Sequence, residues 1–288
     1  MAKARDIGRR MRSVRSTRKI TRTMEMVATS KLRRAQLRVR EARPFSDRLA
    51  SVVENLITPE LTDLEPLLRQ PDRIRRAAVV LITSNRGLCG AFNVNLIRRA
   101  RDLLDELRAS DVDAEFHVIG KKGIRYFRFR NVAMAQTHTD IGDDPTPDQA
   151  RGLITPLAER FVREDLDAVY VVHAEFRSVM STPPITRRLL PVYVPSERPR
   201  REPHYILDPS AHVILSRLLP IHLLTSMFRA LVENAASEQG ARRTAMKSAT
   251  DNADEFLTNL RRQFNRARQQ EITSQLAEII GGAEALKG

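Results

Sequence analysis

Two long stretches free of proline and glycine, one near each end of the chain, dominate the pattern of apolar and polar positions. They run from Arg9 to Arg43 and from Ala241 to Ile280. Small or apolar residues recur three and four positions apart along and beyond the first stretch, which indicates one buried face of a helix. These residues are Ala28, Leu32, Ala35, Val39, Ala42, Leu49, Val52 and Leu56. We therefore predict a long N-terminal helix packed along a partner.

The C-terminal stretch has a similar spacing and is the expected partner. Its apolar positions recur about every 3.5 residues, which favours a left-handed coiled coil. They are Leu224, Phe228, Leu231, Ala235, Ala245, Ala249, Phe256, Leu260, Phe264 and Ala267. Many seam positions are only Ala, and Arg18, Lys31, Glu238, Arg242 and Asn252 fall at or beside the seam. The two helices should pack closely with modest apolar burial, although an ordinary helical bundle would explain the periodicity too.

Between the two helices the pattern changes to alternating strands and helices. Strands are predicted at 77–83, 115–119 and 168–172, and helices at 93–107 and 147–164. This order indicates a mostly parallel, Rossmann-like sheet covered by helices. The predicted fold is a long antiparallel coiled coil of N- and C-terminal helices with an inserted α/β domain. We place the N-terminal helix at 1–70, the α/β domain at 71–209 and the C-terminal helix at 210–288.

Charge is concentrated at the N-terminus. The chain has 288 residues, a formal net charge of +14, 42% hydrophobic residues and no Trp. Residues 1–43 hold fifteen Lys or Arg against Asp6, Glu25 and Glu41. Such a cationic helix could bind nucleic acid, an anionic membrane surface or acidic protein loops. It has no aromatic residue and no nucleic-acid-binding module, so the charge alone does not identify the partner.

Targeting and redox signals point to an intracellular protein. The N-terminus enters a basic helix without the apolar segment of a secretory signal, and no run of 18 apolar residues predicts a membrane span. The lone Cys89 excludes an internal disulfide and fits a reducing compartment.

Candidate catalytic and ligand-binding motifs are weak. The turn 84–90 after the first strand lacks G-x-G-x-x-G, and the chain has no G-x-x-x-x-G-K-[ST]. Residues 120–123 superficially match the G-x-x-G clamp of KH domains but are better interpreted as a tight turn, and Asp143-Asp144 as a turn before a helix. The six histidines have no metal-ligand spacing, and Cys89 has no evident base. We predict no catalytic site and no cofactor.

Three blocks of residues, in order along the chain, resemble the gamma subunit of the F-type ATP synthase. The N-terminal block is Lys19-Ile20-Thr21, Met24-Glu25-Met26-Val27-Ala28, Ser30-Lys31 and Arg33-Arg34-Ala35, and the middle block is Ser84 with Arg86-Gly87-Leu88-Cys89-Gly90. The C-terminal block is Val232-Glu233-Asn234, Ala236-Ser237-Glu238-Gln239, Ala245-Met246-Lys247, Ala249-Thr250-Asp251-Asn252 and Ala267-Arg268-Gln269. The resemblance covers nearly the whole chain.

The resemblance implies a rotor rather than an enzyme. In that family a single gamma subunit inserts its coiled coil into the ring of alpha and beta subunits. Its lower part and α/β domain sit with the epsilon subunit on the proteolipid c-ring. Ion flow turns the ring and the shaft, and the asymmetric shaft shifts the three catalytic sites among their states. The implied location is the cytoplasmic side of a bacterial inner membrane, peripherally bound, and no nucleic-acid partner is implied.

The resemblance also assigns roles to individual residues. Met24 matches a position near the acidic lever loop of the catalytic subunits, and the C-terminal positions that support coupling are Arg242, Gln269, Thr273 and Glu278. Tyr205 and Asp208 are the expected contacts with the membrane ring, since the acidic residue common just after that Tyr is absent here. The chain has Ala277 and Asn85 where the family often has Thr and Asp.

Two other functions fit parts of the sequence. A basic coiled-coil nucleic-acid binder fits the net charge, and a nucleotide-handling enzyme fits the α/β insertion.

Overall fold

A computed structural model of the chain describes residues 2–192 and 210–285. The helices are α1 (Ala2–Leu56), α2 (Pro59–Leu64), a 3₁₀ turn (Pro66–Leu68), α3 (Phe92–Ala109), α4 (Lys121–Phe129), α5 (Pro147–Val162) and α6 (Ala211–Ala285). The strands are β1 (Arg76–Ile82), β2 (Asp113–Ile119), β3 (Gln136–His138), β4 (Ala168–Ala174) and β5 (Pro184–Leu190). Long terminal helices thus flank an α/β region, as predicted.

The five strands form one mixed sheet in the order β3-β2-β1-β4-β5. The first four are mutually parallel, and β5 runs antiparallel to β4. Alternate residues of β1 enter two separate cores: Ala78, Val80 and Ile82 on one face, and Ala77, Val79 and Leu81 on the other. Because both faces are buried, β1 reads as a continuous apolar run rather than an alternating one. The predicted Rossmann-like sheet is confirmed.

Different helices cover the two faces of the sheet. One face packs against α3 and α4, through residues such as Leu96, Leu103 and Phe127. The other face packs against α5, the end of α1 and the first part of α6. On α6 the buried residues Leu215, Leu219, Leu223 and Met227 lie four positions apart and form one stripe. This stripe holds α6 on the sheet.

Burial explains part of the apolar character of α6. Ala211–Ile280 contains an 18-residue window with a mean hydropathy of 1.3, so length and composition alone would permit a membrane span. Composition therefore does not exclude a span in α6, in contrast to the expectation from the sequence. The stripe from Leu215 to Met227 is buried against the sheet.

By contacts the chain divides into two compact units, 1–27 with 243–288 and 28–242. In the first unit α1 and α6 are antiparallel, since Gly8 lies beside Phe264 and Arg18 pairs with Asp254 at 2.6 Å. In the second unit they are antiparallel too: Arg43 pairs with Glu233 at 3.0 Å and Asp47 with Arg229. The sequence analysis divided the chain at 70 and 209 by its helix and sheet content rather than by contacts. That division stays a prediction.

The seam of α1 is close to the prediction, whereas that of α6 departs from it between Ala245 and Leu260. Ala28, Leu32, Ala35, Val39, Leu49 and Leu56 are all buried. On α6 the predicted seam residues Leu231, Ala235 and Leu260 are buried. Between Ala245 and Leu260, however, the buried positions are Met246, Thr250, Ala253 and Leu257, and the predicted seam residue Phe256 is 53% exposed. The prediction passed over Thr250 because it is polar. Its hydroxyl hydrogen-bonds Thr21 at 2.8 Å and donates to the Met246 carbonyl at 2.9 Å, so it can be buried without an unpaired group.

Residues 120–123 lead into helix α4. The prediction of a tight turn there did not include this helix. Gly120 has φ +96 and precedes α4, whose Gly123 packs tightly against Thr83 and Val118. A Cβ on Gly120 would lie 2.2 Å from the Thr83 carbonyl oxygen. These two glycines allow α4 to lie directly against the end of β1, and they are not a nucleic-acid clamp.

An ionic cluster lies between the sheet and the two long helices. The carboxylate of Glu233 is buried and accepts hydrogen bonds at 3.0 Å from the Nε atoms of both Arg43 and Arg229. Arg43 also donates to the Phe176 carbonyl, and Arg229 to Asp47. Because removing one partner would strand a buried charge, the cluster makes the pairing of α1 with α6 specific.

His173 lies at the carboxyl end of β4 beside this cluster and is fully buried. Burial, with a smaller contribution from the Arg187 cation, lowers the pKa of His173 to about 4. Neither ring nitrogen has a hydrogen-bond partner among the described residues. The imidazole is therefore neutral at physiological pH, as expected for a core histidine.

Replacing Gly120 with Ala should lower the free energy of unfolding by about 2–4 kcal/mol, because the new Cβ adds backbone strain and a clash with Thr83. Gly152→Ala in α5 is the control: nothing lies within 4 Å of that position, so the helix should gain about 1 kcal/mol. Urea unfolding followed by tyrosine fluorescence measures both, since Tyr126 and Tyr170 lie in this unit. Equal changes in the free energy of unfolding for the two substitutions would contradict the close approach of Gly120 to Thr83.

Acid should destabilise the fold through His173. Its pKa is about 4 in the folded protein, below the ordinary 6.5, so the unfolded chain takes up a proton first as the pH falls. The contribution of His173 to stability is therefore full above pH 6.5 and declines toward pH 4, by about 3 kcal/mol in total. His173→Leu should flatten this part of the stability profile. An unchanged slope in His173→Leu would contradict the prediction.

Candidate functional site

The middle motif, residues 84–90, forms the loop from β1 to α3 at the carboxyl edge of the sheet. The Ser84 amide donates to the Asn93 side chain at 3.0 Å, and its hydroxyl donates to the Arg86 carbonyl at 2.6 Å. Asn93 also contacts the buried Cys89 sulfur at 3.1 Å. Leu88 and Gly90 have positive φ angles of 63 and 58. The motif residues therefore specify a tightly cross-linked loop.

In parallel α/β proteins, helix N-termini at this edge commonly bind phosphate groups. Here the first amides of α4 are already occupied by the chain itself. Lys121 N–H donates to the Asn85 side chain at 3.0 Å, Lys122 N–H to the Ser84 carbonyl at 3.1 Å, and Gly123 N–H to the Thr83 hydroxyl at 3.0 Å. Asn85 in turn donates to the carbonyls of Thr139 and Ile141. An incoming phosphate would have to displace these bonds.

Helix α6 lies across the same edge. A cavity of about 290 Å³ remains between the ends of β1 and β2, the loop 139–143 and α6. Leu231, Asn234, Ala235 and Glu238 form its α6 wall, and Lys121 also lines it. The Asn234 side chain accepts from the Ala174 N–H at 3.1 Å, so α6 is bonded to the backbone at the end of β4. The position usual for a nucleotide is thus occupied by a helix.

Arg242, one of the residues assigned a coupling role, is 7% exposed and binds within its own chain. Its guanidinium donates to Glu238 at 2.6 Å and to the carbonyls of Arg86 and Gly87 at 3.4 and 3.3 Å. Burial raises the pKa of Glu238, and the nearby Arg242 cation opposes that shift. Arg242 therefore joins α6 to the middle motif.

Asp143 and Asp144, interpreted from the sequence as a turn before a helix, also bind residues of the long helices. Asp143 accepts from Lys31 at 2.5 Å and from Gln239 at 2.9 Å, so it bridges α1 and α6. Asp144 pairs with Arg38. These contacts neutralise part of the cationic face of α1 and bring the loop before α5 against both helices.

The other residues given coupling roles lie in the unit formed by 1–27 and 243–288. Met24 is half-buried on α1, whereas Gln269, Thr273 and Glu278 are exposed on the last part of α6. The Thr273 hydroxyl donates to the Gln269 carbonyl at 2.9 Å, within the helix. Tyr205 and Asp208 lie outside the described residues.

Beside these polar positions, α6 carries exposed apolar side chains. Ile272, Leu276, Ile279 and Ile280 are 48 to 67% exposed and lie at i, i+4, i+7 and i+8, on one face of the helix. We call them the terminal apolar stripe. The sequence analysis missed this stripe, although its helical spacing beyond Ala267 was a readable signal. Exposed apolar residues on one helix face indicate contact with a partner.

The remaining candidates from the sequence do not form a reactive site. Across the described residues, no group of three or more His, Cys, Asp or Glu could hold a metal ion. His117 and His173 are buried, and burial lowers the pKa of His117. Burial also raises the pKa of the Cys89 thiol. Neutral imidazoles and a protonated thiol are typical of structural positions.

Removing Arg242 should be costly. Arg242→Met leaves the Glu238 carboxylate buried and unpaired, so we expect a loss of about 3–5 kcal/mol in unfolding free energy. The double variant Glu238→Gln, Arg242→Met removes both charges and should recover part of that loss. Urea unfolding of the two single variants and the double variant gives the coupling energy. If the unfolding free-energy changes of the two single variants sum to that of the double variant, a direct pair of Arg242 and Glu238 is contradicted.

Known proteins match this chain in sequence and in fold over nearly its whole length. The profile of a family described as ATP synthase matches residues 3–286. An ATP synthase gamma chain from Gemmatimonas aurantiaca is 50% identical, with 100% of both chains aligned, and one from Leptospira biflexa is 39% identical over 99% of this chain and 100% of the relative. A chain in the Euglena gracilis mitochondrial ATP synthase structure has the same fold, with a TM-score of 0.67 and 17% identity, covering 99% of this chain and 95% of that one. The chain therefore belongs to the ATP synthase gamma chain family.

Proposed function

We propose that this chain is the central rotor shaft of an F-type ATP synthase. It couples ion-driven rotation of a membrane ring to ATP synthesis or hydrolysis in the catalytic subunits and so regulates ATPase activity and ion flow. It is itself a non-catalytic subunit. The observation that carries the proposal is the exposure of the terminal apolar stripe of α6. On a chain of this family, an exposed apolar stripe fits a protein partner that encircles the helix.

The charges of α1 support contact with acidic partner loops. Most cations of the first 22 residues are exposed, namely Arg5, Arg9, Arg10, Arg12, Arg15, Lys19 and Arg22. Exposed charges attract over a Debye length of about 8–10 Å and exchange partners easily, because each exposed pair contributes little. A surface of this kind can meet successive acidic loops during rotation without being held at one of them.

The proposed partners are the alpha and beta subunits around α1 and α6, and the epsilon subunit and proteolipid c-ring below. Gln269, Thr273 and Glu278 lie beside or among the residues of the terminal apolar stripe and would form its polar border with the catalytic ring. Tyr205 and Asp208 are proposed to contact the c-ring. The proposed location is peripheral, on the cytoplasmic side of a bacterial inner membrane.

Two alternatives make different predictions. A nucleotide-handling enzyme would need the carboxyl edge of the sheet, where the first amides of α4 are occupied and α6 lies across the cavity. The purified chain should therefore bind ATP no tighter than roughly 1 mM, about 4 kcal/mol. A nucleic-acid binder would use the cations of α1 and show strongly salt-dependent binding to DNA or RNA.

Affinity capture from detergent-solubilised membranes of the native cells tests the proposal. The chain should be retained with an active ATPase complex containing the catalytic subunits and the c-ring. Substituting Leu276 and Ile280 with Asp should reduce the amount of catalytic subunit retained, while Gln275→Asp, an exposed neighbour outside the stripe, should not. Capture of nucleic acid in place of an ATPase would refute the rotor function.

Met24→Lys should uncouple the complex. The added cation can form a lasting pair with an acidic loop of a catalytic subunit, which favours one rotary position over the others. ATPase activity should fall less than ATP-driven ion pumping in reconstituted vesicles. Met24→Gln, similar in size and uncharged, is the control and should keep the two activities in their original ratio. Equal loss of both activities in Met24→Lys would contradict this role.

A further inference from the structure

A second, smaller cavity of about 150 Å³ lies between α1, β5 and α6. Its walls include Ser46 on α1, Arg187 on β5, and His222, Ser226 and Arg229 on α6. All of these residues belong to the unit 28–242. No residue with a predicted coupling role lines this cavity, so its polar wall needs a separate explanation.

Three hydrogen-bonding groups in the wall have no partner among the residues the structure describes. The first is the Ser226 hydroxyl, on a residue only 6% exposed. The second is the half-buried Arg187 guanidinium, and the third is the His222 imidazole, one turn before Ser226 on the same face of α6. Donors that converge on one cavity without a protein acceptor form a place that a bound acceptor fits.

Arg187 differs from the arginines around it. Arg43 and Arg229 are both paired with Glu233, and Arg229 also with Asp47. Burial, and repulsion by the Arg229 cation, lower the pKa of Arg187, and attraction to the carboxylates of Glu233, Glu175 and Asp47 opposes that shift. Arg188 and Glu54 complete the charged part of the wall, and Glu54 is its one carboxylate among the described lining residues. The cavity lining itself therefore carries three arginines and one carboxylate.

We propose that this cavity binds a small oxyanion of the phosphate class, with Arg187 and Ser226 as its main donors. A guanidinium matches two oxygens of a tetrahedral or planar anion, and the serine hydroxyl and imidazole can donate to the others. The volume equals about five water molecules at roughly 30 Å³ each, enough for one phosphate and too small for a nucleotide. A bound anion would join α1, β5 and α6 at one point. The inference does not depend on the rotor function.

Binding has a spectroscopic signature. Burial and the adjacent Arg187 cation lower the pKa of His222. An anion between them favours the protonated imidazole and therefore raises that pKa toward its ordinary value. A merely structural role of Arg187 would leave the His222 titration unaffected by phosphate.

Calorimetric titration of the full chain with inorganic phosphate in a chloride buffer tests the site. We expect saturable 1:1 binding in the millimolar range or tighter, with sulfate competing and acetate weaker. Nuclear magnetic resonance of the histidine rings should show the His222 pKa rising with phosphate. Arg187→Gln should weaken binding at least tenfold, and Ser226→Ala should weaken it severalfold.

Arg217→Gln is the matched control, since Arg217 is exposed on α6 and does not line the cavity. It should bind phosphate as the unaltered chain does. Circular dichroism identifies any variant that fails to fold, and Ser226→Ala, the smaller change, then serves as the test. No saturable binding by the unaltered chain, or equal affinities of the Arg187→Gln and Arg217→Gln variants, would overturn the proposal.

Discussion

The buried contact of Arg242 with Glu238 and two loop carbonyls is the constraint on which the arrangement of the α/β unit depends. The loop 84–90 leaves carbonyl oxygens at the carboxyl edge of the sheet, and a covered edge needs donors for them. Arg242 supplies these donors from α6, and Glu238 neutralises its charge one turn earlier. Asn234 and Gln239 add bonds to the backbone of β4 and to Asp143. With these bonds in place, α6 is held across the edge at which related sheets bind ligands.

Between α1 and α6, buried polar pairs make the contact specific at places where few large apolar side chains are present. Within one unit, Thr21 and Thr250 share a buried hydrogen bond, and within the other, Glu233 joins two arginines. Alanines and threonines let the helices approach closely, but they bury little apolar surface, so they contribute less hydrophobic free energy than leucines would. A slip of one residue would unpair several buried groups at once. The polar pairs therefore determine register, while the sheet and its two cores contribute most of the apolar burial.

The sequence predicted the elements that have strong periodicity and missed those that depend on tertiary contacts. The strands at β1, β2 and β4 were predicted because their apolar runs are continuous, and α3 and α5 because their apolar spacing is helical. The short strand β3 was missed because three residues carry too little pattern, and β5 because Thr186, Arg187 and Arg188 interrupt its apolar character. Helix α4 was hidden by Gly120 and Gly123, whose close approach to Thr83 is visible only in the folded chain. Arg242 was identified through the family resemblance, but nothing in the sequence shows that it binds the loop carbonyls.

These observations explain how a sheet of a ligand-binding type can serve as a structural part. The bonds of Asn85, Ser84 and Thr83 to the first amides of α4 would have to be broken before a phosphate could bind there, and each would then need a new partner. The same groups instead join three loops and prevent them from moving independently. Rigidity is what a subunit needs if it is to transmit torque, since a compliant loop would absorb the work as local motion. The residues that would have made a nucleotide site thus contribute to stiffness. In the proposed rotor, contact with partners is left to the exposed stripe and the cationic face of the helices.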